Sequence, residues 1–276
     1  MNLTCQEQLL PGDTLLEKWD AARAFGYGGI ELRGQGGHRI RERLPELRAA
    51  RRAGVVMPTV CVEMLHFIGD FDAQRRRDAI DNMATMLSVI AELGGTAAMT
   101  PASYGMFSRR LPPFTPPRDE AGDRAVLLDA LGELGEHAAR EGVSVLLEPL
   151  NRYEDHMVNR LEQAVELAEA TGLASVGVVA DSYHMNIEET HFREALAAAA
   201  HRLVHVQVSD SNRFEPGAGH LDWAGFVDAL RQAGYVGDLA AECRLSGPAE
   251  QVLPKAAAVL HGALGDGAMG AGDPRG

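Results

Sequence analysis

Cysteine and lysine are both scarce in this chain of 276 residues. The three cysteines, Cys5, Cys61 and Cys243, stand far apart and form no CxxC pair, so neither a disulfide framework nor a zinc–thiolate site is expected. Lysine occurs only at Lys18 and Lys255, each within a predicted helix, which argues against Schiff-base chemistry by a lysine at a strand end. Reactive groups are therefore expected among other side chains.

Long apolar runs and nucleotide-binding motifs are also absent from the sequence. No run approaches the roughly 18 residues that a membrane span needs, and the first residues lack a basic segment followed by an apolar one. We therefore predict a soluble, cytoplasmic protein with no membrane partner. No G-x-x-x-x-G-K-[ST] occurs, nor a G-x-G-x-x-G that opens a helix, which argues against nucleotide-dependent reactions. A formal net charge of −13 repels phosphate, so no nucleic-acid partner is expected.

What the chain does contain is a regular alternation of strand-like and helical segments. The predicted strands cover 2–6, 28–33, 55–62, 97–101, 144–149, 176–181, 203–209 and 238–242. The predicted helices cover 14–25, 41–53, 73–93, 123–141, 160–170, 190–201, 223–233 and 250–264. Eight strand–helix units without a long linker predict an α/β fold, a single (β/α)8 TIM barrel.

Two segments stand outside that alternation. The barrel is predicted to be a catalytic domain over 1–264, and the glycine-rich residues 265–276 are predicted to be a flexible C-terminal tail. The longest loop, 102–122, carries four prolines and follows the fourth predicted strand. We predict that this loop acts as a lid over the top face of the barrel.

Four oxygen-bearing side chains each stand where a strand-like run stops: Glu148, Asp181, Gln207 and Glu242. Successive members are 33, 26 and 35 residues apart, which is about one strand, one helix and two loops. They should therefore lie at the same end of neighbouring parallel strands. One strand-end carboxylate often only caps the next helix, but four in register predict a site for a hard divalent ion such as Mg²⁺ or Mn²⁺.

Further polar residues follow each of these strand ends. Glu154 comes after Glu148, His184 after Asp181, and a loop rich in donors follows Gln207. Each has a structural alternative: Glu154 as a solvated loop charge, and His184 as a helix cap or packing residue. In the loop after Gln207, Asp210, Asn212, Arg213 and His220 offer donors and acceptors for hydroxyls, although Arg213 alone would also suit a surface ion pair.

The segments LLEPLNRYE, VVADSYHMN, VHVQVSDSNRFEPGAGHLDW and AAEC resemble those of the xylose-isomerase-like TIM-barrel superfamily of sugar and sugar-phosphate isomerases and epimerases. The likeness is to its ketose 3-epimerases and hydroxypyruvate isomerases. In ketose 3-epimerases the metal ligands are Glu, Asp, His and Glu, which correspond to Glu148, Asp181, Gln207 and Glu242. Gln207 departs from that pattern, and hydroxypyruvate isomerases are similar in using glutamine there.

The resemblance implies an enzyme that moves a proton next to a carbonyl through a metal-stabilised enediolate. It implies Glu148 and Glu242 as catalytic acid and base that also hold the metal. It implies Glu154, His184 and Arg213 as the substrate-binding residues. The implied cofactor is a divalent metal ion, Mn²⁺ first, with Mg²⁺ or Co²⁺ as alternatives. The implied partner is a small-molecule sugar, and a homo-oligomer stays open.

Three other functions are alternatives for such a barrel. A metal-dependent lyase or deglycosidase acting on a 3-oxo sugar or glycoside would use the same enolate and then expel a β-substituent. A non-catalytic sugar-binding barrel would keep the pocket without turnover. A barrel endonuclease would need a histidine-rich cluster and a basic surface, which the net charge of −13 opposes. The sequence therefore favours a metal-dependent sugar isomerase or epimerase.

Overall fold

A computed structural model describes residues 1–108, 112–113 and 115–265. Eight parallel strands close into a barrel in chain order, and the last strand pairs with the first. The strands are β1 Leu3–Gln6, β2 Gly29–Gln35, β3 Thr59–Glu63, β4 Ala97–Pro101, β5 Ser144–Glu148, β6 Val176–Asp181, β7 Leu203–Val208 and β8 Leu239–Ala241. The predicted (β/α)8 fold is confirmed, with all eight strands in the expected order.

Helices follow every strand and surround the barrel. They are α1 Leu15–Ala24, α2 Arg39–Glu42, α3 Leu44–Arg52, α4 Ala73–Glu92, α5 Glu120–Glu141, α6 Leu161–Ala170, α7 Ser182–Glu188, α8 Phe192–Ala199, α9 Trp223–Gln232 and α10 Ala249–Leu264, and a short 3₁₀ helix covers Glu7–Leu9. Most predicted helices match within a few residues.

The structure differs from the predicted elements in three places. The helix predicted over 41–53 is two, because the chain restarts at Leu44 with Pro45 in its first turn. The strand predicted from residue 55 begins only at Thr59, after Pro58, which has no N–H to donate. Residues 182–188 belong to no predicted helix but form α7, because Asp181 accepts hydrogen bonds from two backbone N–H groups of the first turn.

Side-chain alternation along the strands separates two apolar regions. Residues that point outward pack against the helices in one large core, which includes Val145 and Leu147 of β5. Residues that point inward form a smaller cluster from Ala97, Met99, Leu146 and Val179. Because a strand alternates its faces, the residue two positions after an inward one also points inward. The strand ends beyond this cluster therefore direct their side chains to the top of the barrel interior.

The loop predicted as a lid leaves β4 and is partly described. Its Tyr104 is 55% exposed, and the backbone N–H of Gly105 donates to the carbonyl of Glu154 in the next βα loop. Helix α5 begins at Glu120. The last three residues of the predicted loop therefore belong to the first turn of this helix, and the loop is shorter than expected. Residues 109–111, 114 and 266–276, which include nearly all of the predicted tail, lie outside the described residues. Closure of the loop stays a prediction.

Within the part of the chain that the structure describes, no helix combines the length and the apolar character that a bilayer crossing requires.

Candidate active site

The carboxyl ends of β5 to β8 hold all four predicted strand-end oxygen groups. Leu146 and Val179 belong to the inner cluster, so Glu148 and Asp181, two residues further along their strands, point inward as well. Asp181 pairs in register with Gln207 of the next strand. Glu242 directly follows β8, and its backbone N–H donates to the carbonyl of Val208. The four groups thus lie at one end of the barrel, as their spacing predicted.

Asp181 is fully buried and has both oxygens engaged. Its Oδ1 accepts from the backbone N–H groups of Tyr183 (2.8 Å) and His184 (3.0 Å), and its Oδ2 lies 2.6 Å from Nη1 of Arg213. Burial opposes ionisation, but Arg213 and His184 hold the pKa of this carboxyl below its ordinary value. Asp181 therefore caps a helix and also presents a negative charge to the site, and the two roles are compatible.

Arg213 connects two of the predicted ligands. Besides Asp181, its guanidinium reaches Glu242 at 3.0 Å and the hydroxyl of Ser209 at 3.1 Å, and it lies over the Tyr183 ring at 5.2 Å. Its backbone has φ 64°, a left-handed conformation that non-glycine residues seldom adopt. Such strain is kept where the surroundings require it, and it is common at functional sites. The surface ion pair considered from sequence is excluded, because the side chain is only 21% exposed and faces the strand ends.

His184 is a neutral hydrogen-bond donor at the cavity wall. The backbone N–H of Asn151 donates to its Nδ1 at 3.1 Å, so the ring proton must sit on Nε2. Nε2 lies 3.8 Å from Glu148 and 3.9 Å from Glu154. Burial lowers the pKa of the imidazole to about 4.

Ligand atoms of His184, Glu148 and Asp181 lie within 4.8 Å of one another, so His184 could be taken for a metal ligand. The proton on its Nε2 argues against that role, because a metal-binding nitrogen must offer a lone pair. The geometry instead suits a donor to a sugar oxygen.

The two predicted acid–base residues have carboxyls that resist ionisation. Burial, followed by repulsion from Glu242 and Asp181, raises the pKa of Glu148. Burial raises the pKa of Glu242 to about 7, even though Arg213 opposes the shift. Because the two carboxyls repel each other, the pair retains a proton at a pH at which an isolated glutamate would have lost it. One can therefore act as an acid while the other acts as a base.

Gln207 supplies the least conventional member of the set. It is fully buried, its Nε2 donates to Glu31 Oε1 at 2.9 Å, and its Oε1 has no hydrogen-bond partner among the described residues. Such an oxygen fits a ligand position. Three carboxylates and one amide oxygen form a donor set that suits a hard divalent ion. The residues present thus fit the predicted metal, and their roles stay predictions.

A cavity of about 380 Å³ opens above these groups. All three predicted substrate-binding residues, Glu154, His184 and Arg213, line it together with Glu148 and Glu242. Glu154 is half-buried, and burial raises the pKa of its carboxyl.

The cavity also exposes groups that the sequence reasoning missed. These include Gln8, Cys61, Met64, Phe67, Tyr104 and Arg244. Most of them follow β1, β3 and β4, strands at whose ends no oxygen ligand was predicted, and Arg244 lies two residues after Glu242.

The loop after β7 has a different use from the one expected. Asp210 is buried and accepts from the backbone N–H groups of Ser211, Gly217 and Leu221, and from the indole N–H of Trp223. His220 bonds the hydroxyl of Ser211 at 2.9 Å. Asp210 thus holds the loop in shape, and Arg213 is the member of the expected hydroxyl-binding group that lines the cavity.

A second, unpredicted polar cluster lies within the barrel next to Gln207. Glu31 of β2, fully buried, contacts Gln6, Thr59, His205 and Gln207. The signal for it was present in the sequence as a charged residue inside the apolar run GIEL, and as a histidine two residues before Gln207 on the same face of β7.

A family model described as xylose isomerase-like TIM barrel matches residues 19–262, a range that includes every site residue predicted from the sequence. The chain belongs to the xylose isomerase-like TIM barrel family. This xylose isomerase-like barrel is 37% identical over 246 residues to the 3-dehydro-D-guloside 4-epimerase of Escherichia coli K12, an alignment that covers 89% of this chain and 93% of the relative. The resemblance proposed from the sequence motifs is confirmed, and so is the prediction of an enzyme.

Ketose 3-epimerases match a smaller part of the chain. The D-psicose 3-epimerase of Enterocloster bolteae is 38% identical over 133 residues, which cover 48% of this chain and 44% of the relative. Among solved structures, a 3-keto-D-glucoside 4-epimerase from E. coli superposes with a TM-score of 0.89 at 36% identity, covering 95% of this chain and 99% of that one. These relatives favour an epimerase over the lyase and the sugar-binding barrel.

Proposed function

We propose that the protein is a divalent-metal-dependent epimerase of a 3-oxo glycoside or a related keto-sugar. The main support for this proposal is the pair of carboxyls, Glu148 and Glu242, which have raised pKa values and lie at the wall of one polar cavity. The relative that this chain matches over most of both lengths is a 4-epimerase of a 3-dehydro sugar, which supports a carbon next to the carbonyl as the reacting centre.

The side chains have separate duties in this proposal. The metal, held by Glu148, Asp181, Gln207 and Glu242, would act as a Lewis acid toward the carbonyl and the neighbouring oxygen. One glutamate of the pair removes the proton on the carbon next to the carbonyl, and the other returns a proton to the opposite face of that carbon. Their raised pKa values allow one to be protonated while the other is ionised.

The remaining residues would bind and orient the sugar. His184 donates its Nε2 proton to a substrate oxygen, and Glu154 accepts from a hydroxyl beside it. Arg213 carries guanidinium donors for a further oxygen and keeps Asp181 ionised. These contacts fix which carbon lies between the two glutamates.

The decisive experiment is NMR in D₂O with the Mn²⁺- or Mg²⁺-loaded protein against a panel of 3-oxo glycosides and ketoses. We expect inversion at a carbon next to the carbonyl together with incorporation of solvent deuterium there. A product that has lost its leaving group would instead identify a lyase. Sugar binding without deuterium exchange would identify a binding protein.

Two variants and a chelation step test the residues and the metal. Glu242→Gln should abolish exchange while the protein stays folded, and Glu162→Gln, which removes an exposed glutamate of α6, should leave it unchanged. Chelation should inactivate the protein, with recovery on addition of Mn²⁺, Co²⁺ or Mg²⁺. Full activity after rigorous metal removal would end the metal-dependent part of the proposal.

A further inference from the structure

The cluster beneath the candidate metal site is organised around one carboxylate. Glu31 is 0% exposed and makes four contacts. Its Oε1 receives Nε2 of Gln6 at 3.1 Å and Nε2 of Gln207 at 2.9 Å. Its Oε2 receives the Thr59 hydroxyl at 2.7 Å and lies 2.7 Å from Nε2 of His205. Amide groups thus donate to Oε1, a hydroxyl donates to Oε2, and His205 lies close to Oε2, so Glu31 is placed to accept hydrogen bonds from its neighbours.

This arrangement fixes which end of the Gln207 amide faces the ion. An amide carries a donor end and an acceptor end, and the two are nearly equal in size. A carboxylate only accepts, so the end of Gln207 that faces Glu31 must be the NH₂ group. The carbonyl oxygen then points away from Glu31, where it has no hydrogen-bond partner among the described residues.

The strand geometry makes the contact direct. Gln207 and His205 are two residues apart on β7 and share its inward face. Glu31 lies on β2, in register with Gln6 of β1. The side chains meet across the interior of the barrel, and neither Glu31 nor His205 lines the substrate cavity. Within the described part of the chain, Glu31 therefore contacts the site through Gln207 and Gln6.

We propose that Glu31 is a positioning residue that holds the amide of Gln207 with its oxygen toward the metal ion. Without this acceptor the amide can rotate and present NH₂ to the ion, which a cation rejects. The inference rests on the proposed function to the extent that Gln207 is taken as a ligand. Loss of such supporting contacts typically costs about 10–100-fold in metal affinity.

The test is a double-mutant cycle read out as the Mn²⁺ dissociation constant, measured by EPR of free Mn²⁺ in the full-length protein. Glu31→Met keeps the chain length and removes the acceptor, and we expect Mn²⁺ affinity to fall about 10–100-fold. In a Gln207→Ala background the same change should cost less than about threefold, because the ligand is already gone. Equal losses in both backgrounds would show that Glu31 is merely structural and would overturn the proposal.

Two further variants separate orientation from folding. Glu31→Gln retains one carbonyl acceptor and should lose less affinity than Glu31→Met. Thr4→Val is the matched control, because Thr4 is a buried barrel residue whose hydroxyl has no partner among the described residues. It should leave Mn²⁺ affinity unchanged. Thermal unfolding followed by circular dichroism establishes that each variant is folded.

If Glu31→Met does not fold, exchanging the side chains of Glu31 and Gln207 tests the positioning role. In Gln207→Glu two carboxylates would face each other, which disfavours the ligand geometry. In the double variant Glu31→Gln/Gln207→Glu the new amide donates to the new carboxylate. We expect the double variant to bind Mn²⁺ at least about tenfold more tightly than Gln207→Glu. Equal affinity would refute the positioning role.

The outcomes also distinguish this inference from the proposed function. If Gln207→Ala costs no Mn²⁺ affinity, the inference fails while an epimerase with other ligands stands. If the protein binds Mn²⁺ with the predicted coupling but epimerises none of the sugars tested, the proposed function fails and the positioning role stands.

Discussion

Removing the charge of Arg213 should destabilise the protein much more than removing that of an exposed arginine. Its guanidinium lies 2.6 Å from Asp181, whose side chain is 0% exposed, and 3.0 Å from Glu242. Removing one partner of a buried ion pair costs about 3–5 kcal/mol, because the other charge stays buried and unpaired. Glu242 is partly exposed and can take up a proton, so we expect the lower end, about 3 kcal/mol.

The assay is thermal unfolding of Arg213→Met by circular dichroism at pH 8 in the presence of a chelator. Methionine keeps an unbranched stem and is no more strained than arginine at φ 64°. A loss of this size in a chain of this length lowers the Tm by roughly 6–12 °C. The matched control is Arg193→Met, because Arg193 lies at the same 3.0 Å from Asp228 but both side chains are about half exposed. That change should cost less than about 1 kcal/mol.

The pH dependence gives a second check on the same variant. Burial opposes ionisation of Asp181, but Arg213 and His184 lower its pKa. A lowered carboxyl pKa adds stability above the unfolded value and loses it as the pH falls through the folded value. The deficit of Arg213→Met should therefore be largest near neutral pH and shrink below about pH 4. Equal Tm values for the two arginine variants at pH 8 would refute the reasoning.

The other predictions concern the proton pair, the histidine, the metal and the barrel packing. Glu148→Gln should lower kcat by about 10²–10⁴-fold with an unchanged fold, and near-wild-type turnover would contradict the mechanism. Because burial lowers the pKa of His184 to about 4, titration of His184 should not appear in the kcat/KM profile near pH 6.5. A limb near that pH that persists in Glu148→Gln and disappears in His184→Gln would contradict this expectation. Mn²⁺ binding near pH 6 should release protons, detected by calorimetry in buffers of different ionisation enthalpy, because the Glu148 carboxyl has a raised pKa. Gly34→Ala should lower the free energy of unfolding by about 1–3 kcal/mol, because the added Cβ would lie 2.7 Å from Val60 Cγ1. Gly132→Ala, within α5 and with open space around it, should raise the free energy of unfolding by about 0.5–1 kcal/mol. Urea unfolding measures both glycine variants.

The barrel could be predicted from sequence because its signals are local and repeated. Each short apolar run between two helical patterns marks a strand, and the run that ends at Glu148 can be recognised without long-range information. The same is true of Asp181, whose position after VGVVA places it at a strand end. Helix α7 was missed because its start depends on that same aspartate acting as a cap, a role that was set aside once four oxygen groups stood in register at strand ends.

The inner polar cluster could not be predicted because it depends on which strands meet across the barrel. Glu31 and Gln207 are 176 residues apart, and the sequence of neither strand indicates that these two side chains will be in contact. The role of Asp210 was hidden for a related reason. Its five donors come from its own loop and the start of α9, and only the folded loop shows that its oxygens have no capacity left for a sugar.

The balance of charge explains why this site suits a divalent ion and why glutamine serves at position 207. Glu148, Asp181 and Glu242 offer three negative charges, and Arg213 neutralises one of them. Two negative charges are left. The raised pKa values of the two glutamates indicate that these charges are unfavourable in the protein alone. The proposed divalent cation would balance them. A fourth carboxylate at position 207 would add a charge beside Glu31, whereas an amide offers an oxygen to the ion and a donor to Glu31 without adding one. An amide at position 207 is thus the proposed ligand that suits the charged interior of this barrel.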